Sequence, residues 1–169
     1  LPRPLEHMRI EGQQFLPQLL QAANITDHII VGHSDGATIG LEYAAHDLHK
    51  GLLGLILFAP HVYVEDISLR SIQRITEDYK TTDLRDRLRK YHGSNVDNAF
   101  HGWSDTWLSA GFRNWNIESV LPKITAPILQ IQGLDDEYGS PNQLEKIAEG
   151  VSGLCESLLL ENCAHAPQF

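Results

Sequence analysis

Residues Ile29 to Ala45 read Ile-Ile-Val-Gly-His-Ser-Asp-Gly-Ala-Thr-Ile-Gly-Leu-Glu-Tyr-Ala-Ala. Ile29, Ile30 and Val31 are β-branched and suit a strand buried on both faces. Ala37, Leu41, Ala44, Ala45 and Leu48 then recur at helical spacing. Between strand and helix lies Gly32-His33-Ser34-Asp35-Gly36, a G-x-S-x-G at the junction where that pattern has physical meaning. The turn is so sharp that side chains two before and two after the serine would collide, which is the expected job of both glycines. Ser34 is expected to sit in strained backbone geometry, with its hydroxyl lifted clear of the sheet. The helix that follows points its N-terminus at any oxyanion formed there, and the Asp35 N–H can donate to it.

Working outward, Leu5 to Ala23 reads as a helix with Leu5, Met8, Phe15, Leu19 and Ala22 as its apolar stripe. Pro17 should kink it or start a new turn. His28 to Val31 is the first strand. After the elbow helix, Lys50-Gly51 supplies a basic last turn and a C′ glycine. Leu52 to Ala59 is a second buried strand, so strand, helix and strand make a parallel βαβ unit. Pro60 and His61 follow at the strand end where open α/β sheets bind ligands.

From Val64 to Lys123 the character changes to dense charge at helical spacing, with Trp103, Trp107 and Trp115 close together. The segment reads as a helical insertion over the sheet. Its tryptophans form a small core, or Trp107 and Phe112 line a pocket. The strand pattern resumes at Ala126 to Gln132. Ser140 and Pro141 open a helix to Glu149, and Glu156 to Leu160 is a last strand. The domain reading is therefore 1–63 as the first part of an α/β core, 64–123 as a helical insertion, and 124–169 as the rest of the core.

A serine hydroxyl needs a general base, and the base needs an orienting carboxylate. The elbow order is Ser, then acid, then His. Here Ser34 is followed by an acidic pair after a strand, and then by His165 in a loop after the final strand. All three lie past the C-terminal ends of parallel strands.

On these residues the chain resembles the α/β-hydrolase superfamily of lipases, esterases and carbon–carbon hydrolases. Val31-Gly-His-Ser-Asp-Gly-Ala matches the nucleophile motif, Pro127 to Gly139 the acid motif, and Asn162-Cys-Ala-His-Ala-Pro the histidine motif. The resemblance implies a partial parallel-sheet α/β-hydrolase fold with a helical cap. It assigns Ser34 as nucleophile, Asp136 as acid (three residues after Gly133) with Asp135 as the alternative, His165 as base, and Asp35 N–H as oxyanion donor. His33 and His61 are candidates to face the substrate, and each also reads as an ordinary packed or loop histidine. No cofactor is implied. His46 and His49 stand three apart but have no third ligand, so no metal site is expected.

The family carries strands and an oxyanion loop before the elbow, and a helix after the histidine. The chain begins Leu1-Pro2-Arg3-Pro4 without an initiator Met, and it reads as a fragment. One missing oxyanion donor lowers rates by about 10²–10³, so the 169 residues alone are expected to be weakly active or inactive.

Composition narrows the partners. Hydrophobic residues make up 42% of the chain and the formal net charge is −9, which argues against nucleic acid or an anionic membrane. No apolar run has the length of a membrane span. Cys155 and Cys163 form no motif and read as free thiols in a reducing compartment, so a cytoplasmic location is the expectation. The function expected is hydrolysis of an ester-like or carbonyl carbon–carbon bond in a small-molecule substrate. The alternatives are a non-catalytic binding domain of the same fold, or cofactor-free perhydrolase or haloperoxidase-type chemistry. With its earlier strands absent, Ile29 to Val31 should lie at a raw sheet edge that invites a second copy of the chain.

Overall fold

The computed structural model describes residues 2–46 and 51–169. In chain order its helices and strands are α1 (His7–Ile10), α2 (Leu16–Ala22), β1 (His28–His33), α3 (Asp35–Ala44) and β2 (Leu52–Phe58). Then come α4 (Asp66–Thr81), α5 (Leu84–His92), α6 (Val96–Trp107), β3 (Ile128–Gly133), α7 (Asn142–Gly150) and β4 (Cys155–Leu160). They fall into two compact units. One comprises Glu6–Tyr63 and Asn116–Phe169, and the other Val64–Trp115 with the N-terminal residues up to Leu5. Among the described residues no helix is long and apolar enough to cross a membrane.

The first unit holds a four-stranded sheet in the order β1-β2-β3-β4, with every pairing parallel. Parallel pairing brings the C-terminal ends of all the strands to one edge, and the loops of interest leave from there. One face is covered: Gly40 of α3 approaches Ile30, Leu55 and Leu57. Farther along the same face, the buried Gln130 amide donates to Leu144 O of α7 and to Ser157 Oγ, each at 2.8 Å.

The other face is open, which corrects the expectation that Ile29–Val31 are buried on both faces. Ile29 and Val31 are 55% and 64% exposed. Among the described residues β1 pairs only with β2, and α3 reaches every second side chain, so the alternate residues turn to solvent. Leu53 of β2 is exposed for a different reason: the β1–β2 register slips there, passing from His28–Leu52 to Ile29–Gly54.

The first helix also departs from expectation. Of the proposed stripe only Met8 is buried, beside His7, while Phe15 and Leu19 are exposed. Glu11–Phe15 is π-helical, closed by Leu16 N–H to Glu11 O. The wider turn admits an extra residue just ahead of Pro17, and it rotates the following turns away from the face that buries Met8.

The elbow helix ends at Ala44 rather than running on to Gly51, which instead opens β2 at φ +111°. Leu48, His49 and Lys50 lie outside the described residues. The 3₁₀ turn Glu118–Lys123, expected in the insertion, belongs to the sheet unit. Its Leu121 is buried beside Gly150, and Ser152 Oγ donates to Pro122 O at 2.8 Å.

The second unit is helical. Tyr79 of α4 stacks on Phe100 of α6 with ring centroids 3.8 Å apart, and Val96, Ile75, Leu84, Leu88 and Trp103 complete the cluster. Arg85 and the Tyr79 hydroxyl converge on Asp97. Their hydrogen bonds, that of Arg85 foremost, hold its carboxyl well below the usual range. A second aromatic group joins Trp107, Phe112 and Trp115, with Phe112 and Trp115 stacked at 5.1 Å.

Candidate active site

The elbow has its expected strain. Ser34 adopts φ +54° and ψ −124°, a region costly for a residue with a side chain. The surrounding backbone fixes it there: Ser34 N–H donates to Phe58 O at 2.9 Å, and Ser34 O accepts from Ala37 and Thr38 N–H. Gly32 is required, since a Cβ there would lie 2.5 Å from Gly36 O and 2.7 Å from Ala37 Cα. Gly36 corrects the expectation of a matching collision, because a Cβ there meets nothing within 4 Å. The two-residue offset after the serine already lies on the outside of the first helical turn. Asp35 is the first residue of α3, so its N–H is among those left without an intrahelical acceptor.

The acid and histidine loops are bonded to each other. Leu134 N–H donates to Leu160 O and Asp135 N–H to Cys163 O, both at 2.9 Å. The Cys163 carbonyl comes so close to Gly133 that no side chain fits there. This zipper brings His165 Nδ1 to 2.9 Å from Asp136 Oδ1. Of the two candidate acids, Asp136 is therefore the one that meets the imidazole, with its side chain 1% exposed. The Asp135 side chain is exposed and only its backbone contributes.

A carboxylate only accepts, so His165 Nδ1 carries the proton of this bond. Burial alone pushes the Asp136 carboxyl up. The hydrogen bond and charge of His165, the Tyr138 N–H and the Gln132 amide outweigh it and hold the group below its ordinary value.

His33 lies between these two halves. Its Nε2 is 2.7 Å from the carbonyl oxygen of His165, and the two ring centroids are 4.8 Å apart. His61 is buried, its carbonyl held by Thr38 Oγ1 at 2.7 Å and its ring packed on Gly139, with a centroid 5.9 Å from that of His165. Among the described residues no hydrogen bond joins the Ser34 hydroxyl to His165.

Trp107 and Phe112 are buried in the aromatic group of the helical unit. A cavity of about 330 Å³ in that unit is lined by other residues, among them Leu84, Leu88, Phe100 and Trp103. Among the described residues no group of three or more His, Cys, Asp and Glu side chains is placed to hold a metal ion.

Three contributors to the site escape the motif reading. Gln132 donates to Asp136 Oδ2 at 3.0 Å, Glu137 accepts from His165 N–H at 3.3 Å, and the Tyr138 ring lies against His165 at 4.7 Å. Gln132 had a signal: it stands two residues from Gln130 in an otherwise apolar strand, and a polar side chain buried there needs a partner.

No family model and no curated protein matches the sequence. Solved structures do match the fold. A membrane phospholipase A described as a bacterial virulence factor superposes with a TM-score of 0.73 at 20% identity over 95% of this chain. The α/β-hydrolase enzyme MGS-M2, from a Medee basin deep-sea metagenome, gives 0.64 at 21% identity over 92%. The serine hydrolase CCSP0084 of Cycloclasticus zankles gives 0.67 at 16% over 99%. The chain spans 57%, 64% and 67% of the lengths of those three proteins respectively. These likenesses show the fold.

Proposed function

We propose that this chain, which carries part of an α/β-hydrolase fold, is a serine hydrolase acting on an ester-like or carbonyl carbon–carbon bond of a small molecule. The observation that carries the reading is the contact of buried Asp136 with the half-buried His165 at 2.9 Å, on the same sheet edge as the strained Ser34. In this reading His165 Nε2 removes the Ser34 proton as Oγ attacks the substrate carbonyl carbon. Asp136 stabilises the imidazolium that forms, and Asp35 N–H donates to the oxyanion. The imidazolium then protonates the leaving group, and water, activated by the same nitrogen, releases the acyl group from Ser34. Catalysis requires Ser34 Oγ and His165 Nε2 to come within hydrogen-bond reach, a bond that often tightens only once substrate is bound. The substrate is a small carbonyl compound, and the net charge of −9 disfavours polyanions.

Turnover of short p-nitrophenyl esters by the full-length protein tests this. Ser34→Ala is expected to lower kcat by about 10⁴ or more. An unchanged rate removes Ser34 from the mechanism. Binding of the esters without turnover favours the non-catalytic reading.

A further inference from the structure

His165 stands in irregular backbone after β4, where no helix or sheet ladder holds it. Its ring is aimed by Asp136, but aiming a ring is useful only if the main chain beneath it is fixed. That main chain is gripped on both sides. Its N–H donates to the Glu137 carboxylate at 3.3 Å, and its carbonyl lies 2.7 Å from His33 Nε2. A carbonyl only accepts, so His33 Nε2 bears the proton in this bond. His33 is itself anchored as the last residue of β1, paired with Phe58, and the next residue is Ser34.

We infer that His33 is a positioning residue: its Nε2–H holds the His165 carbonyl and so ties the general base to the backbone that carries the nucleophile. The inference rests on the hydrolase reading above and adds a residue to it. Chain order separates His33 from His165 by 132 positions, and this bond links the elbow strand to the histidine loop. Displacing a catalytic group by about 1 Å can cost about 10²-fold in rate while leaving substrate affinity intact. The His33 bond therefore acts on kcat.

Two variants separate the donor from the ring. His33→Leu removes the N–H, and His33→Gln keeps an amide N–H at similar reach. His33→Leu is expected to lower kcat on short esters by about 10- to 100-fold with KM within about twofold, and His33→Gln to recover most of the loss. A second readout does not depend on turnover. The low-field proton resonance of the His165–Asp136 hydrogen bond should persist in His33→Gln and shift or broaden in His33→Leu, with both variants shown folded by thermal unfolding. Full kcat and an unmoved resonance in His33→Leu overturn the inference, as does equal impairment of both folded variants. If Ser34→Ala retains turnover the hydrolase reading fails, while the resonance still reports whether His33 holds the histidine loop.

Discussion

The two halves of the candidate site are built in different ways. The Ser34 half is made of backbone: a positive φ, three main-chain hydrogen bonds and a glycine that lets helix meet strand. The His165 half adds side chains to its main-chain zipper: Asp136 on the ring, Gln132 behind the acid, Glu137 on the N–H and His33 on the carbonyl. Backbone strain is local, so four or five consecutive residues specify it. A side-chain lattice draws on residues far apart in the chain, and each bond is individually modest. Damage to the first half should be all or nothing, whereas damage to the second should be graded.

The acid pair breaks that comparison most sharply. Asp136→Asn should lower kcat by about 10⁴, since an amide favours the wrong tautomer of the imidazole. Asp135→Asn should stay within about threefold, because its exposed side chain contributes nothing to the ring. The reverse ranking moves the acid to Asp135. The pH dependence follows from the lowered carboxyl of Asp136. The Asp136 carboxylate's contribution is fully present above the unfolded value of 3.8 and is lost as pH falls through the lower folded value. Activity measured against pH should therefore show no acid limb from Asp136 between pH ~4 and ~7. A limb in that window that vanishes in Asp136→Asn contradicts the assignment.

A smaller effect, on stability alone, sharpens the backbone half. Gly32→Ala places a Cβ against backbone atoms and should cost about 1–3 kcal/mol, read as a fall in Tm. Gly36→Ala meets open space inside the first turn of α3 and should be neutral or stabilise by about 0.5–1 kcal/mol. Equal destabilisation by both would restore the symmetric reading of the G-x-S-x-G pattern.

That pattern shows what could be read from sequence and what could not. The elbow turn and the parallel strands were legible, because hydrophobic runs and glycine spacing encode local geometry, whereas the choice of Asp136 over Asp135 came from the family resemblance alone. The role of His33 was not legible, because its partner carbonyl is fixed only once β4 pairs with β3 and the two loops zip together. The failed stripe of the first helix has a similar origin: a π turn ahead of Pro17 shifts the phase, and a stripe read at one helical period cannot anticipate it. Ile29 and Val31 carry the composition of a buried strand, yet burial depends on what covers the sheet, and α3 covers one face only.

Covalent labelling with a fluorophosphonate, followed by peptide mass mapping, tests the claim that Ser34 is a nucleophile activated by His165. The serine oxygen bonds to phosphorus and fluoride leaves, so the step needs an activated hydroxyl and no knowledge of the natural substrate. A single adduct on the peptide containing Ser34, lost in both Ser34→Ala and His165→Gln, is the expected result. An adduct that survives Ser34→Ala, or no adduct on the folded full-length protein, contradicts it.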